Sequence, residues 1–201
     1  MAKIKLCGLS RECDIEAANK LLPDYIGFVI CFEKSHRNIT PERAKQLKAL
    51  LDSRIKAVGV FVDAPIETVA QLLNDNTIDM AQLHGKESEE YISTLRSLTG
   101  KPIIKAFKAT DPEELEMCEG SSADYILLDS GKGYGISYDF GITKNIKRDY
   151  FLAGGITLDN VAEAVKEVNP YAVDISSGIE TDKLKDPAKM AKFVQTVRNI
   201  K

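Results

Sequence analysis

Residues 151–178 read FLAGGITLDNVAEAVKEVNPYAVDISSG, and their rhythm changes twice. An apolar run, Phe151–Gly155, ends in paired glycines. Helical spacing follows at Val161, Ala164, Val165 and Val168, and a second apolar run, Ala172–Gly178, ends in Ser-Ser-Gly. Short apolar runs on either side of a 3.6-residue pattern are the mark of a strand–helix–strand unit with parallel strands. Outward from this unit the same rhythm repeats. Further strand-like runs lie at Ile4–Gly8, Tyr25–Ile30, Ile55–Val62, Met80–Gly85, Pro102–Phe107 and Tyr125–Asp129, starting 21 to 30 residues apart.

Helical spacing fills the gaps, clearest at Ile15-Ala18-Leu22, Ala44-Leu47-Leu51, Val69-Leu72-Leu73, Ile92-Leu95-Leu98 and Met190-Phe193-Val194-Val197. Thr40-Pro41, Asp63-Ala64-Pro65, Asp111-Pro112 and Asp186-Pro187 place proline at the first turn of a helix. Eight such units predict the α/β class and, by closure, a (β/α)8 TIM barrel filling residues 1–201 as a single domain. An open doubly wound sheet is the alternative. No G-x-G-x-x-G follows the first strand, and eight even repeats favour closure. Residues 130–146 are glycine-rich with a weak helical pattern and read as a long mobile loop with a short helix.

The 201 residues are 44% hydrophobic and 28% charged, with a formal charge of −3. That balance points away from nucleic acid, whose phosphates attract basic surfaces. No apolar run approaches the roughly 20 residues of a membrane span, and Lys3 and Lys5 interrupt the only N-terminal apolar stretch. The expected location is the cytoplasm. Cys7, Cys13, Cys31 and Cys118 form no C-x-x-C pair, and two histidines are too few for a convincing zinc set, so no metal is expected. Cys13, Cys31 and Cys118 read as packing residues.

Alternation along each strand sorts the polar residues. If the apolar face meets the helices, then Lys5, Cys7, Gln82, His84, Lys105, Asp129, Asp174 and Ser176 all point into the barrel. Several lie at the C-terminal ends of their strands, where active sites of this fold are built. Lys5, Lys105 and Asp174 read as one buried ion cluster. The Glu87-Glu89-Glu90 run reads as a solvated helix face. The loops after the seventh and eighth strands carry Gly154-Gly155 and Ser177-Gly178, suited to cradling a phosphate with backbone N–H groups.

Taken together, Lys5-Leu6-Cys7-Gly8, Ser35-His36-Arg37, Gln82-Leu83-His84-Gly85, Leu127-Leu128-Asp129, Ala153-Gly154-Gly155 and Asp174-Ile175-Ser176-Ser177-Gly178 resemble the phosphoribosylanthranilate isomerases of tryptophan biosynthesis. The likeness covers residues 3–180 in order and spacing. His36 stands where that family often has proline, and Gly133-Tyr134-Gly135 with Tyr138-Asp139-Phe140 is a looser form of its glycine-rich stretch. The resemblance implies a cofactor-free Amadori rearrangement, with Asp129 as general acid and Cys7 as general base. It also implies Arg37 on the anthranilate carboxylate, His84 and Asp174 as substrate contacts, and phosphate on Gly154, Gly155, Ser177 and Gly178. The partner implied is a small phosphosugar–anthranilate molecule, bound by a monomer or homodimer.

The catalytic pair sets a requirement on protonation. The acid must keep a proton near neutral pH and the base must lose one, against free values near 3.9 and 8.5. Burial is expected to raise Asp129, and Lys5 is the expected helper of the Cys7 thiolate. Two other functions fit the scaffold. A phosphosugar isomerase of histidine biosynthesis resembles this chain in fold but carries Asp in place of Cys7. A non-catalytic phosphate-ligand binder would need neither Cys7 nor Asp129.

Overall fold

The computed structural model describes residues 1–131 and 146–200. The expected 130–146 loop, with Gly133-Tyr134-Gly135 and Tyr138-Asp139-Phe140, lies almost wholly outside the described residues. Eight parallel strands form the framework: β1 (Lys3–Cys7), β2 (Tyr25–Ile30), β3 (Lys56–Phe61), β4 (Met80–Leu83), β5 (Ile103–Lys108), β6 (Tyr125–Asp129), β7 (Tyr150–Ala153) and β8 (Ala172–Ile175). Each pairs with the next, and β1 pairs with both β2 and β8, so the sheet closes into a barrel. Two-residue strands at Asn38–Ile39, Glu180–Thr181 and Leu184–Lys185 decorate its loops.

Seven helices appear among the described residues: α1 (Glu12–Leu21), α2 (Pro41–Leu50), α3 (Ile66–Asn74), α4 (Glu89–Leu98), α5 (Pro112–Gly120), α6 (Val161–Val168) and α7 (Pro187–Arg198). Proline opens α2, α5 and α7, and Thr40, Asp111 and Asp186 cap them by accepting first-turn N–H groups. The main core lies between sheet and helices. Ile4 and Leu6 of β1, Ala81 and Leu83 of β4, Ile126 and Leu128 of β6, and Val173 and Ile175 of β8 all belong to it. No described helix is long and apolar enough to cross a membrane.

The barrel interior is a second, smaller apolar cluster that includes Tyr25, Val58, Met80, Ile104, Leu127 and Phe151. Tyr25 and Tyr125 pack edge-on against Phe151, Tyr171 stacks on Tyr125, and the Lys3 ammonium donates to the Tyr171 hydroxyl at 2.9 Å. These residues sit at or near the strands' N-terminal ends and plug that side of the barrel. The C-terminal side keeps a polar interior.

Lys105 departs from the expected pattern. Its neighbours Ile104 and Ala106 belong to the interior cluster, while Ile103 and Phe107 belong to the outer core. Lys105 therefore faces the helices and is not part of an interior ion cluster with Lys5 and Asp174. Its stem crosses the outer layer, and its ammonium meets the Glu87 carboxylate at 3.1 Å and the Gly85 carbonyl at 2.7 Å. Glu87 is accordingly buried rather than solvated, and it also accepts the N–H groups of Asp63 and Gly85. Cys118 packs as expected, but Cys13 and Cys31 are exposed.

Candidate active site

A cavity of about 790 Å³ opens at the C-terminal ends of the strands. That volume suits a small-molecule substrate. Cys7, Arg37, Gln82, His84, Asp129 and Asp174 line it, together with Gly154, Gly155, Ser176 and Ser177. Of the residues read from sequence as site residues, only Gly178 is absent from the lining. It sits behind, in the short turn Ser177–Ile179, where a Cβ would come within 2.6 Å of the Ile156 carbonyl. The missing side chain lets the loops after β7 and β8 pack closely.

Cys7 ends β1 facing inward and is buried. Its neighbour across the ladder is Gly27 of β2, where a Cβ would stand 2.6 Å from the Cys7 sulfur. Gly27 thus makes the space the thiol occupies. Burial pushes the thiol up, and Lys5 and then Lys185 pull it down while Asp174 adds to the rise; the outcome lies above the ordinary cysteine value. Lys5 and Asp174 are ladder partners on β1 and β8, and the ammonium meets one carboxylate oxygen at 2.7 Å. The other oxygen, Oδ1, is buried with no hydrogen-bond partner among the described residues. Such an orphaned acceptor beside a cavity wants a donor.

Asp129 ends β6. Its Oδ1 accepts the Gly131 N–H at 2.7 Å, and its Oδ2 lies 3.2 Å from His84 Nε2. Gln82 Nε2 lies 2.8 Å from His84 Nδ1. An amide that donates to Nδ1 leaves Nε2 as the nitrogen whose proton is directed at Asp129. Burial raises the Asp129 carboxyl, but the His84 and Gly131 bonds outweigh it, and the net direction is downward. This reverses the expectation that burial would raise it: donors aimed at both oxygens favour the anion.

Arg37 reaches the cavity from the loop between β2 and α2. It crosses Gly8, whose φ of +80° and missing side chain admit it; a Cβ there would collide with the Arg37 stem and approach Ser176 Oγ to 3.2 Å. Nε and Nη2 of Arg37 donate to the two Glu180 oxygens at 2.6 and 2.8 Å. Glu180 and its second partner, Lys185, escaped the reading of the sequence. The apolar–polar alternation used there applies to barrel strands, and these two lie on a hairpin beyond β8.

Comparison with known proteins adds a family to this geometry. A sequence model of N-(5'-phosphoribosyl)anthranilate isomerase matches residues 4–196. The chain belongs to that family. The N-(5'-phosphoribosyl)anthranilate isomerase of Endomicrobium trichonymphae is 42% identical over 205 residues, covering all of both chains. Among solved structures, the phosphoribosyl anthranilate isomerase of Thermotoga maritima superposes with a TM-score of 0.90 at 28% identity, over 98% of this chain and 99% of that one. A phosphoribosyl anthranilate isomerase in complex with reduced 1-(o-carboxyphenylamino)-1-deoxyribulose 5-phosphate gives 0.87 at 27% identity, over 98% and 99%.

Proposed function

We propose that the protein isomerises N-(5'-phosphoribosyl)anthranilate to 1-(2-carboxyphenylamino)-1-deoxyribulose 5-phosphate, in tryptophan biosynthesis, with Asp129 as acid and Cys7 as base. The observation that carries the residue roles is the convergence of both groups on one cavity in a member of this family. Asp129 delivers a proton to the furanose ring oxygen, which opens the ring to a Schiff base. Cys7 removes the C2′ proton, and the enolamine that results tautomerises to the ketose. No electrons leave the substrate, so the reaction calls for no redox cofactor.

Binding groups surround that chemistry. The paired glycines at Gly154 and Gly155, both at positive φ, and Ser177 offer backbone N–H and hydroxyl donors to the phosphate. Arg37 offers a planar fork to the anthranilate carboxylate. Oδ1 of Asp174 is suited to accept a ribose hydroxyl. The test mixes purified protein with freshly generated phosphoribosylanthranilate and follows the loss of its fluorescence. We expect turnover well above spontaneous decay, and a loss of roughly 10²–10⁴ in kcat/KM for Cys7→Ser and for Asp129→Asn. Absence of turnover would overturn the substrate assignment; near-wild-type activity in either variant would overturn that residue's role.

A further inference from the structure

Arg37 contains five N–H donors in one plane, and its contact with Glu180 uses a single edge of them, Nε and Nη2. Among the described residues nothing else takes the Nη1–Nη2 edge, a second fork of the same geometry. Glu180 does not line the cavity, and its side chain is only 9% exposed against 22% for Arg37. The guanidinium thus reaches the cavity wall while its internal carboxylate partner is the more buried of the two and stays out of that wall. The carboxylate is placed to aim the fork, not to compete for it.

Glu180 is itself held. It faces Lys185 across the two-residue hairpin ladder, and Lys185 Nζ donates to Glu180 Oε1 at 2.7 Å. The same buried ammonium donates to the Ser176 carbonyl at 2.9 Å and lies 3.2 Å from Ser176 Oγ. Ser176 Oγ donates in turn to the Cys7 carbonyl at 3.1 Å. His36 Nε2 approaches the outer Glu180 oxygen at 3.6 Å. With three protein oxygens around it, the Lys185 ammonium has its three donors engaged and none to offer a ligand.

We propose that Glu180, pinned by Lys185, is a positioning residue that aims Arg37 and so sets the enzyme's selectivity for a carboxylate-bearing aryl group. The proposal rests on the reading of Arg37 as the carboxylate contact. A long arginine on a loop loses much rotamer freedom on binding, and a prior bidentate partner removes that cost before the ligand arrives.

The probes are reduced 1-(o-carboxyphenylamino)-1-deoxyribulose 5-phosphate and its counterpart lacking the carboxyl group, with affinities measured by calorimetry. We expect Glu180→Gln to weaken the carboxylate ligand about tenfold and the descarboxy ligand less than about twofold. In an Arg37→Ala background the same change should cost nothing further. The charge-balanced pair Glu180→Gln with Lys185→Met serves if the single variant does not fold, and the same selectivity is expected of it. Equal weakening of both ligands would reduce Glu180 to a structural role, and tighter binding of the carboxylate ligand would make it a competitor. Either result overturns the inference and leaves Arg37 in place. If Arg37→Ala itself shows no selectivity between the ligands, the reading of Arg37 has failed instead.

Discussion

Gly154→Ala tests how closely the loop after β7 is fitted to the catalytic carboxyl. Gly154 adopts φ of +74°, and a Cβ there would strike Asp129 Oδ1, with the Ser130 nitrogen at 2.6 Å and Ser130 Oγ at 2.8 Å. Ser130 is bound to the same loop, through its N–H to the Ala153 carbonyl at 3.1 Å and its hydroxyl to the Gly154 carbonyl at 2.6 Å. The methyl cannot be absorbed by a flexible side chain. Bringing the Ser130 nitrogen out to an ordinary contact near 3.4 Å requires a parting of about 0.8 Å, and Asp129 must swing as well. The left-handed backbone adds roughly 1–2 kcal/mol for a residue with a Cβ. A misplacement of about 1 Å at a reacting group costs on the order of 10²-fold, near 2.7 kcal/mol of barrier. We therefore expect kcat to fall about 100-fold while Tm falls by about 2–8 °C. Fluorescence loss of phosphoribosylanthranilate gives kcat, and thermal unfolding supplies the control. In an Asp129→Asn background the added methyl should cost little more in kcat, because the group it displaces is already disabled. A kcat within about threefold of wild type would refute the reasoning, and so would a second 100-fold loss on top of Asp129→Asn.

Two further predictions concern buried charge. Asp174→Asn leaves the Lys5 ammonium buried without its counter-ion, which costs about 3–5 kcal/mol. At about 2–4 °C per kcal/mol for a chain of this size, thermal unfolding should fall by about 6–20 °C, and Lys5→Met combined with Asp174→Leu should recover most of it. Unchanged unfolding of Asp174→Asn would show that the pair at 2.7 Å carries no net stability. Glu180 is the second case: burial raises its carboxyl, but bonds from Arg37 and Lys185 outweigh this and hold it at about 2, against an ordinary value of 4.5. A lowered carboxyl contributes stability that is fully present above about 4.5 and lost as pH falls toward about 2. Urea midpoints of the wild type should drop more steeply across that window than those of Glu180→Gln, and parallel curves would refute the assignment.

The barrel was legible in the sequence because its repeats are local, and Tyr25–Ile30 and Tyr125–Asp129 coincide with β2 and β6 residue for residue. Facing was legible wherever polar and apolar residues alternate cleanly, which is why Cys7, Gln82, Asp129 and Asp174 line the cavity as read. The same rule failed at Lys105. A lysine stem can cross an apolar layer while its head finds Glu87, 18 positions back in the chain, so polarity alone does not identify the interior face. Glu87 failed for the matching reason: it lies in the loop after β4, and its partner lies on β5, beyond α4. Pairings such as Arg37 with Glu180 span 143 positions and leave no periodic trace. Gly27 was equally silent, because its meaning is the space it leaves for the sulfur of its ladder partner.

The two pKa shifts run against the roles of the groups. Cys7 is held as thiol and Asp129 as carboxylate, whereas the reaction needs the proton on Asp129 and the negative charge on sulfur. When the acid has the lower pKa, the reactive arrangement is a minor form. Its share is constant between the two values, so kcat/KM is bell-shaped, with Asp129 setting the acid limb and Cys7 the alkaline limb. Each unit by which the two values approach raises that share about tenfold. His84 is the most direct handle on the gap, since its Nε2 proton is the donor that favours the Asp129 anion. A substrate ring oxygen that takes the place of this donor would raise Asp129 as the reaction needs. His84→Leu mimics that displacement in the free enzyme, and its acid limb should move to higher pH while the alkaline limb stays with Cys7. His84→Gln, which keeps a donor, should fall between. An acid limb unmoved by His84→Leu would mean that Asp129 does not set it, and the assignment of the acid would have to be given up.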